Sequence, residues 1–395
     1  MKHNERYNIP ALVATTLIVY TVIISCRNTS SDALRVKVGK APGSVEIADL
    51  NNDKLPDLIV CNERDSSVTI LLGKGNGQFE EANGSPFPAG HGVNDVAIGD
   101  YNKDGKLDLA FANHERKYLT VLLGKGDGSF MAAPNSPFPV GVIPHTHGIA
   151  SGEFNGDKRL DLVTDSWGND QIEILFGDSI NGFKTPGKFL KVGKHPYQRV
   201  RAADINMDGK DDIITTNLEG DNVTILLCDG TGGFREAEGS PFPCGDSPFG
   251  VAIGDVNGDG RLDLAIVNSP SSTTDRTGVN GLTVLLGDGT GKFIVMIGSP
   301  FEAGKMPNRV AIGDVNGDGI NDIIVSDNSS DKITVYLMGK NGRVASPYQV
   351  TVGNHPKGIA IADLNGDGKG DIVVCNSADN DISIIISEYV HSGQY

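Results

Sequence analysis

One nine-residue pattern, D-x-N-x-D-G-x-x-D, recurs seven times along this 395-residue chain, and each copy runs into a short apolar stretch. The copies begin at Asp49, Asp100, Glu153, Asp204, Asp255, Asp314 and Asp363, at intervals of 51, 53, 51, 51, 59 and 49 residues. That period is too long for helical solenoid repeats and fits four-stranded propeller blades, which run ~40–50 residues each. Each unit reads as four strands. The first is short and built of small residues, VAIGD at 96–100, 251–255 and 310–314, as the crowded axis of a ring requires. The second follows the acidic loop (DLIV, DLAF, DLVT, DIIT, DLAI, DIIV, DIVV). Its near-continuous apolarity means burial on both faces. The third is VTILLG or a variant and ends in a glycine-rich turn; the fourth is outermost and ends near SPFP. The seventh unit stops after its third strand, while LRVKVGK at 34–40 matches the outer strands of other units. The N-terminal strand is therefore expected to pair into the last blade, a closure that removes free sheet edges. The predicted fold is all-β, a seven-bladed β-propeller over 34–390 with a short tail at 391–395.

Within each acidic copy the first, third and fifth side chains converge on one side of a tight loop, and the ninth adds a carboxylate. The candidate metal ligands are Asp49, Asn51, Asp53 and Asp57; Asp100, Asn102, Asp104 and Asp108; Glu153, Asn155, Asp157 and Asp161; Asp204, Asn206, Asp208 and Asp212; Asp255, Asn257, Asp259 and Asp263; Asp314, Asn316, Asp318 and Asp322; and Asp363, Asn365, Asp367 and Asp371. Hard oxygen donors in that number suit Ca²⁺ rather than Zn²⁺ or Mg²⁺. A turn alone needs one or two such residues, not four at fixed positions in seven loops. Three carboxylates per loop make 21 of the chain's 50 acids, and seven Ca²⁺ would bring +14 against a net charge of −16. Glycine at the sixth position permits the positive φ of a sharp bend. Loops two, four, five, six and seven are complete. Loop one has Lys54 at the sixth position; loop three has Glu153 at the first and Lys158 at the sixth. These two are expected to bind weakly or to use the lysine as an internal counter-cation. The metal's expected role is structural.

The unit SPFGVAIGDVNGDGRLDLAI (247–266) resembles an FG-GAP/VCBS repeat, the Ca²⁺-binding blade of integrin α-subunit propellers and of many bacterial surface proteins. The resemblance covers nearly all of the chain after residue 33. It implies a propeller with one Ca²⁺ per complete loop. It implies less about activity, since such propellers serve adhesion, lectin-like binding and, in some polysaccharide lyases, catalysis.

The N-terminus reads as an export signal: Lys2 and Arg6, then an apolar stretch over 9–25, then Cys26. The ending IISC resembles a bacterial lipoprotein signal, in which Cys26 would carry the lipid; cleaved secretion and a signal anchor are the alternatives. All three place the rest of the chain outside the cytoplasm, with residues 27–33 as a polar tether and the outer membrane favoured for a lipid-anchored form. The expected protein is monomeric and meets a membrane only through that anchor. The surplus of acids repels nucleic acid. Four further cysteines are too few for a disulfide scaffold. Cys61 and Cys375 end near-identical strands and read as buried apolar side chains, and the spacing of Cys228 and Cys244 allows a pair.

The strand 1–2 loops share one face of an up-and-down blade ring with the strand 3–4 turns. The opposite face is where the repeat stops repeating. Its connections carry His145, His147, Tyr197, Gln198, Phe249, Asn308, Arg309 and Lys357, and its strand 2–3 loops carry Glu63, His114 and the lone Trp167. Trp167, Tyr197 and Phe249 as flat apolar surfaces, with His145, His147 and Gln198 beside them, would suit a glycan or protein ligand. A polar column (Asn62, Asn113, Ser166, Asn217, Asn268, Asp327, Asn376) ends the second strands and reads either as part of that face or as strand termination. The expected function is a surface binding module. A polysaccharide lyase is the enzymatic alternative, and an envelope scaffold is the third; no G-x-S-x-G or H-E-x-x-H sequence is present.

Overall fold

The ninth aspartate of each acidic loop opens the second strand of its blade. The computed structural model describes residues 33–179, 182–270 and 278–387; the signal-like segment with Cys26, most of the tether, part of the blade-five insertion and the tail lie outside them. The seven second strands are Asp57–Asn62, Asp108–Asn113, Asp161–Ser166, Asp212–Asn217, Asp263–Asn268, Asp322–Asp327 and Asp371–Asn376. Every residue in them is buried except Asp327, which is half-buried. Each pairs antiparallel with the first strand on one side and the third on the other, so the blades are meanders. Seven apolar clusters fill the structure, one between each pair of neighbouring blades. Each sheet thus buries both faces against its neighbours, and the seven blades form one β-propeller.

The ring closes as the sequence predicts. Leu34–Lys37 pairs with Asp381–Ile385 and becomes the outer strand of blade seven, with Leu34 opposite Ile384 and Lys37 opposite Asp381. Arg35 reinforces the seam, donating from Nη2 to both oxygens of Asp381 at 2.7 and 2.8 Å and to Asp379 at 2.7 Å.

The outer strands differ from the expectation. In blades one, two and four the fourth strand is broken: Phe79–Glu81 and Phe87–Pro88, for example, both pair with Ser67–Gly73. The serine of SPFP intervenes, its Oγ accepting a third-strand N–H in the place of a ladder carbonyl (Ser85 Oγ from Ile70, 3.0 Å). In blades three and six a small extra hairpin replaces the glycine-rich turn, Gly177–Ser179 with Gly182–Phe183 and Met338–Gly339 with Arg343–Val344.

The polar column is structural. Asn62 donates to Thr69 (2.8 Å), Asn217 to Thr224 (2.8 Å) and Asn376 to Ser383 (2.9 Å), tying the second strand to the third. Asn113 and Asn268 donate to the carbonyls of Ala89 and Cys244. Cys61 and Cys375 are fully buried. Cys228 and Cys244 are free thiols. They do not pair because they lie at opposite ends of blade four: the Cys228 N–H reaches Asp212 of the acidic loop, whereas Cys244 accepts from Asn268.

One bracket recurs in all seven blades. Each ninth-position aspartate is buried; its Oδ2 accepts the N–H of the loop's second residue at 2.8–3.1 Å. Its Oδ1 accepts an N–H at or just beyond the end of the third strand at 2.8–2.9 Å. Burial, with the other loop carboxylates adding to it, pushes Asp108, Asp212 and Asp263 up to about 6 and Asp161 and Asp322 up to about 7. Replacing Asp263 by Ala strands two backbone donors, and at about 1.5–3 kcal/mol per charged hydrogen bond a loss of roughly 3 kcal/mol is expected. Urea midpoints of wild type and D263A measure it.

Candidate functional site

Two regions of the ring carry chemistry. On the first face, the acidic loops are wound by their own side chains. In all seven loops the third-position Asn accepts the fifth N–H, and the fifth-position Asp accepts the seventh. In six loops the first-position Asp accepts the sixth N–H at 2.7–2.9 Å. Glu153, one methylene longer, instead takes the N–H of Asn155 and Gly156. The sixth residue has a positive φ in every loop, including Lys54 (68°) and Lys158 (63°). So does the fourth, a position whose identity gave no such signal: Asn52, Lys103 and Met207 hold it in three loops and glycine in the other four. Each loop thus places two carboxylates and an amide oxygen at its first, third and fifth positions, a hard-oxygen donor set of the kind that Ca²⁺ takes. The lysine counter-cation is not formed. Lys54 and Lys158 are exposed, and among the described residues no ion pair joins either to a loop carboxylate. The cationic neighbours that do reach a loop acid come from the seventh position, Lys210 to Asp208 (3.2 Å), Lys106 to Asp104 (3.8 Å) and Arg261 to Asp259 (3.9 Å).

On the opposite face, side chains from blades two to five converge at the mouth of the axis. Trp167 follows the second strand of blade three. His195 and Tyr197 come from the connection and first strand of blade four, and His145 and His147 from the connection into blade three. The Trp167 ring stacks on His195 at 4.5 Å with an 8° interplanar angle, and its edge meets His145 (6.0 Å) and Tyr197 (6.1 Å). His195 Nδ1 is 2.9 Å from Glu219, whose other oxygen meets Lys194 at 2.8 Å. Lys194 first, then His195, holds the Glu219 carboxyl below its usual range.

The sequence reading of this face needs correction. Phe249 is 5% exposed and packs in the interface of blades five and six, so it offers no surface. His147 is 1% exposed, and Asn308 and Arg309 are buried too. Trp167 already has one ring face covered by His195. Gln198 lies in the strand Pro196–Ala203, and its side chain lies outside the described residues. The exposed edge of the cluster is instead His145, Trp167, His195 and Tyr197, all half-buried.

The first strands also line an axial cavity of 460 Å³, whose walls include Glu46, Arg199, Arg201 and Arg309. Arg199 pairs with the fully buried Asp95, which Arg201 also approaches at 3.3 Å. Arg309 lies 5.8 Å over the Phe249 ring. Burial pushes Glu46 up, and among the charges near it the Arg201 guanidinium opposes that rise most. Sequence reasoning missed His195, Asp95, Arg199 and Arg201. The available signal was departure from the repeat itself. Blades two, five and six read VAIGD; blade four reads RVRAAD there, and blade two places Asp95 directly before its VAIGD.

A positive φ at Lys158 costs about 1–2 kcal/mol relative to glycine, partly offset by glycine's freer unfolded chain. Lys158→Gly is therefore expected to stabilise the protein by roughly 0.5–1 kcal/mol, read as a higher melting temperature in chelator.

A sequence profile described as FG-GAP-like repeat matches residues 49–111, 101–164, 168–266 and 314–374. Cartilage acidic protein 1 of Xenopus tropicalis is 26% identical over 192 residues, which cover 45% of this chain and 29% of that protein. The chain thus spans less than a third of that relative's length. Among solved structures, virginiamycin B lyase from Staphylococcus aureus superposes with a TM-score of 0.54 at 14% identity, over 89% of this chain and 98% of that one. An Agrocybe aegerita lectin that recognises non-reducing terminal N-acetylglucosamine superposes with a TM-score of 0.51 at 17% identity, over 79% and 80%. At these identities the two structures show a shared fold.

Proposed function

The chain belongs to the FG-GAP-like repeat family, and we propose that it is a Ca²⁺-stabilised binding module that takes a glycan at the axial mouth opposite its acidic loops. The observation that carries this is the half-buried aromatic cluster of Trp167, His195, Tyr197 and His145, whose Tyr197 shares a strand with Arg199 and Arg201 of the axial cavity. Flat rings beside convergent hydrogen-bonding groups suit a sugar, whose faces are apolar and whose edges are hydroxyls. The three arginines against Asp95 and Glu46 around the axis favour a saccharide that carries a carboxylate. The export-like N-terminus supports an extracytoplasmic, lipid-anchored location. Among the described residues no helix is long and apolar enough to cross a membrane.

Ca²⁺ is assigned to the acidic loops, held by the first, third and fifth side chains. Bound there, the ion neutralises the clustered carboxylates, while the ninth aspartate holds the loop against the third strand. At Ca²⁺ 100-fold above its dissociation constant, linkage gives about 2.7 kcal/mol per independent site. Melting curves with and without chelator are expected to differ strongly, and Asp259→Ala to remove one site's share; a flat response would remove the structural ion.

Trp167→Ala is expected to weaken glycan binding on the order of 10-fold, since a good aromatic contact is worth about 1 kcal/mol beyond its area. A glycan array spanning neutral and uronic-acid sugars, followed by titration of wild type and W167A, measures it. Unchanged affinity in W167A overturns the site, and turnover of a uronic-acid polysaccharide by wild type would replace binding with lyase chemistry.

A further inference from the structure

We propose that His114, His145 and His147 form a site for one divalent transition-metal ion of the zinc class, separate from the acidic loops. The potential ligand nitrogens of the three rings all lie within 4.8 Å of one another. Their ring centroids are 4.7–4.8 Å apart in every pairing. His114 comes from the strand 2–3 loop of blade two and the other two from the connection into blade three, so the fold, not sequence proximity, assembles the trio.

His147 supplies the independent observation. Its side chain is 1% exposed, yet neither ring nitrogen has a hydrogen-bond partner. Leaving a buried polar group unpaired costs about 1–3 kcal/mol, and folded proteins tolerate few. The ring lies against Tyr197 (4.2 Å between centroids) and has His114 and His145 at 4.7 Å. A metal ion at the centre of the three histidines would satisfy it.

The surroundings have the layout of a metal centre's outer shell. Asp165 Oδ2 is 3.8 Å from His147 Nδ1, and Glu63 Oε1 is 3.7 Å from His114 Nδ1. Neither separation is a hydrogen bond as it stands; a small ring rotation would bring each Nδ1–H onto its carboxylate and leave Nε2 to ligate. The backbone is also held. Asp165 Oδ1 accepts the N–H of His147 (2.8 Å) and Gly148 (3.0 Å), and Thr146 Oγ1 donates to the Asn113 carbonyl beside His114 (3.0 Å). Three neutral imidazoles suit zinc, copper or nickel and not Ca²⁺ or Mg²⁺. Zinc–nitrogen bonds of about 2.0–2.1 Å in a tetrahedron need the nitrogens roughly 3.3 Å apart. His114 and His145 are only half-buried and can rotate to close that gap. Three protein ligands leave a fourth position for water or a ligand atom, as in open zinc sites.

The site does not depend on the glycan reading and is tested without sugar. Purified full-length protein in excess Ca²⁺ is titrated with Co²⁺ and followed by visible ligand-field absorption. One Co²⁺ per chain, displaced by Zn²⁺, is expected. His145→Ala and His114→Ala should each weaken binding by at least roughly 100-fold, and Glu63→Gln by about 10–100-fold. His355→Gln, at an exposed histidine of the connection into blade seven that lies outside the trio and the acidic loops, should change nothing. His145 is partly exposed, so H145A decides the matter even where a His147 variant does not fold; its unchanged melting temperature in Ca²⁺ confirms that it is native. No saturable band, wild-type affinity in H145A, or loss of the band in H355Q would each overturn the site.

Discussion

The buried aspartate that closes each acidic loop is the interaction on which the ring depends. A single carboxylate binds the N–H of its own loop with one oxygen and that of the third strand with the other. Three chain segments are thereby fixed by one side chain, and the same arrangement occurs in every blade. The carboxylate needs to be ionised to accept both bonds well. It is nevertheless buried beside other acids, which oppose its ionisation. The loop that shapes the blade therefore also creates a local excess of negative charge. The bracket that fixes the blade and the clustering of acids come from one and the same loop.

That bracket leaves the two faces of the ring with different freedoms. The acidic face is constrained sevenfold, because each loop must wind the same way and meet the next blade's turn. Gly77 of blade one donates to Leu364 of blade seven, and Gly232 of blade four to Phe154 of blade three. The opposite face has no such requirement once the polar column has tied second strand to third. Its connections can vary without loosening a blade. Charged and aromatic residues accumulate there in blades two to four, around an axis that the other blades line mostly with apolar side chains, Glu46 and Arg309 excepted. The irregular side chains are held as firmly as the regular ones, since Asp165, Asp95 and His147 are buried.

Much of the architecture was legible because a repeat announces itself many times over. Blade number, strand order, closure by Leu34–Lys37 and burial of both faces of the second strand all follow from spacing and hydropathy. The broken outer strands were less legible, because SPFP reads as a strand end until the serine is seen to replace a ladder carbonyl. The left-handed fourth loop position was hidden for a similar reason, since Asn, Lys and Met occupy it beside Gly. Phe249 misled because an aromatic in a variable connection reads as exposed, whereas its strand directs it into the next blade. His195 escaped notice because it precedes a proline like other connection residues, and only its parallel stack on Trp167 sets it apart.

By itself, then, the sequence determined the ring. Local periodicity and loop chemistry are properties of short segments, and seven copies of a segment with two apolar faces can satisfy themselves only by packing in a circle. The tertiary structure alone decided which irregular residues meet. His114, His145 and His147, or Trp167 and His195, are brought together by the angle between blades and the depth at which each connection enters the axis. Those quantities belong to packed sheets, and no spacing along the chain encodes them.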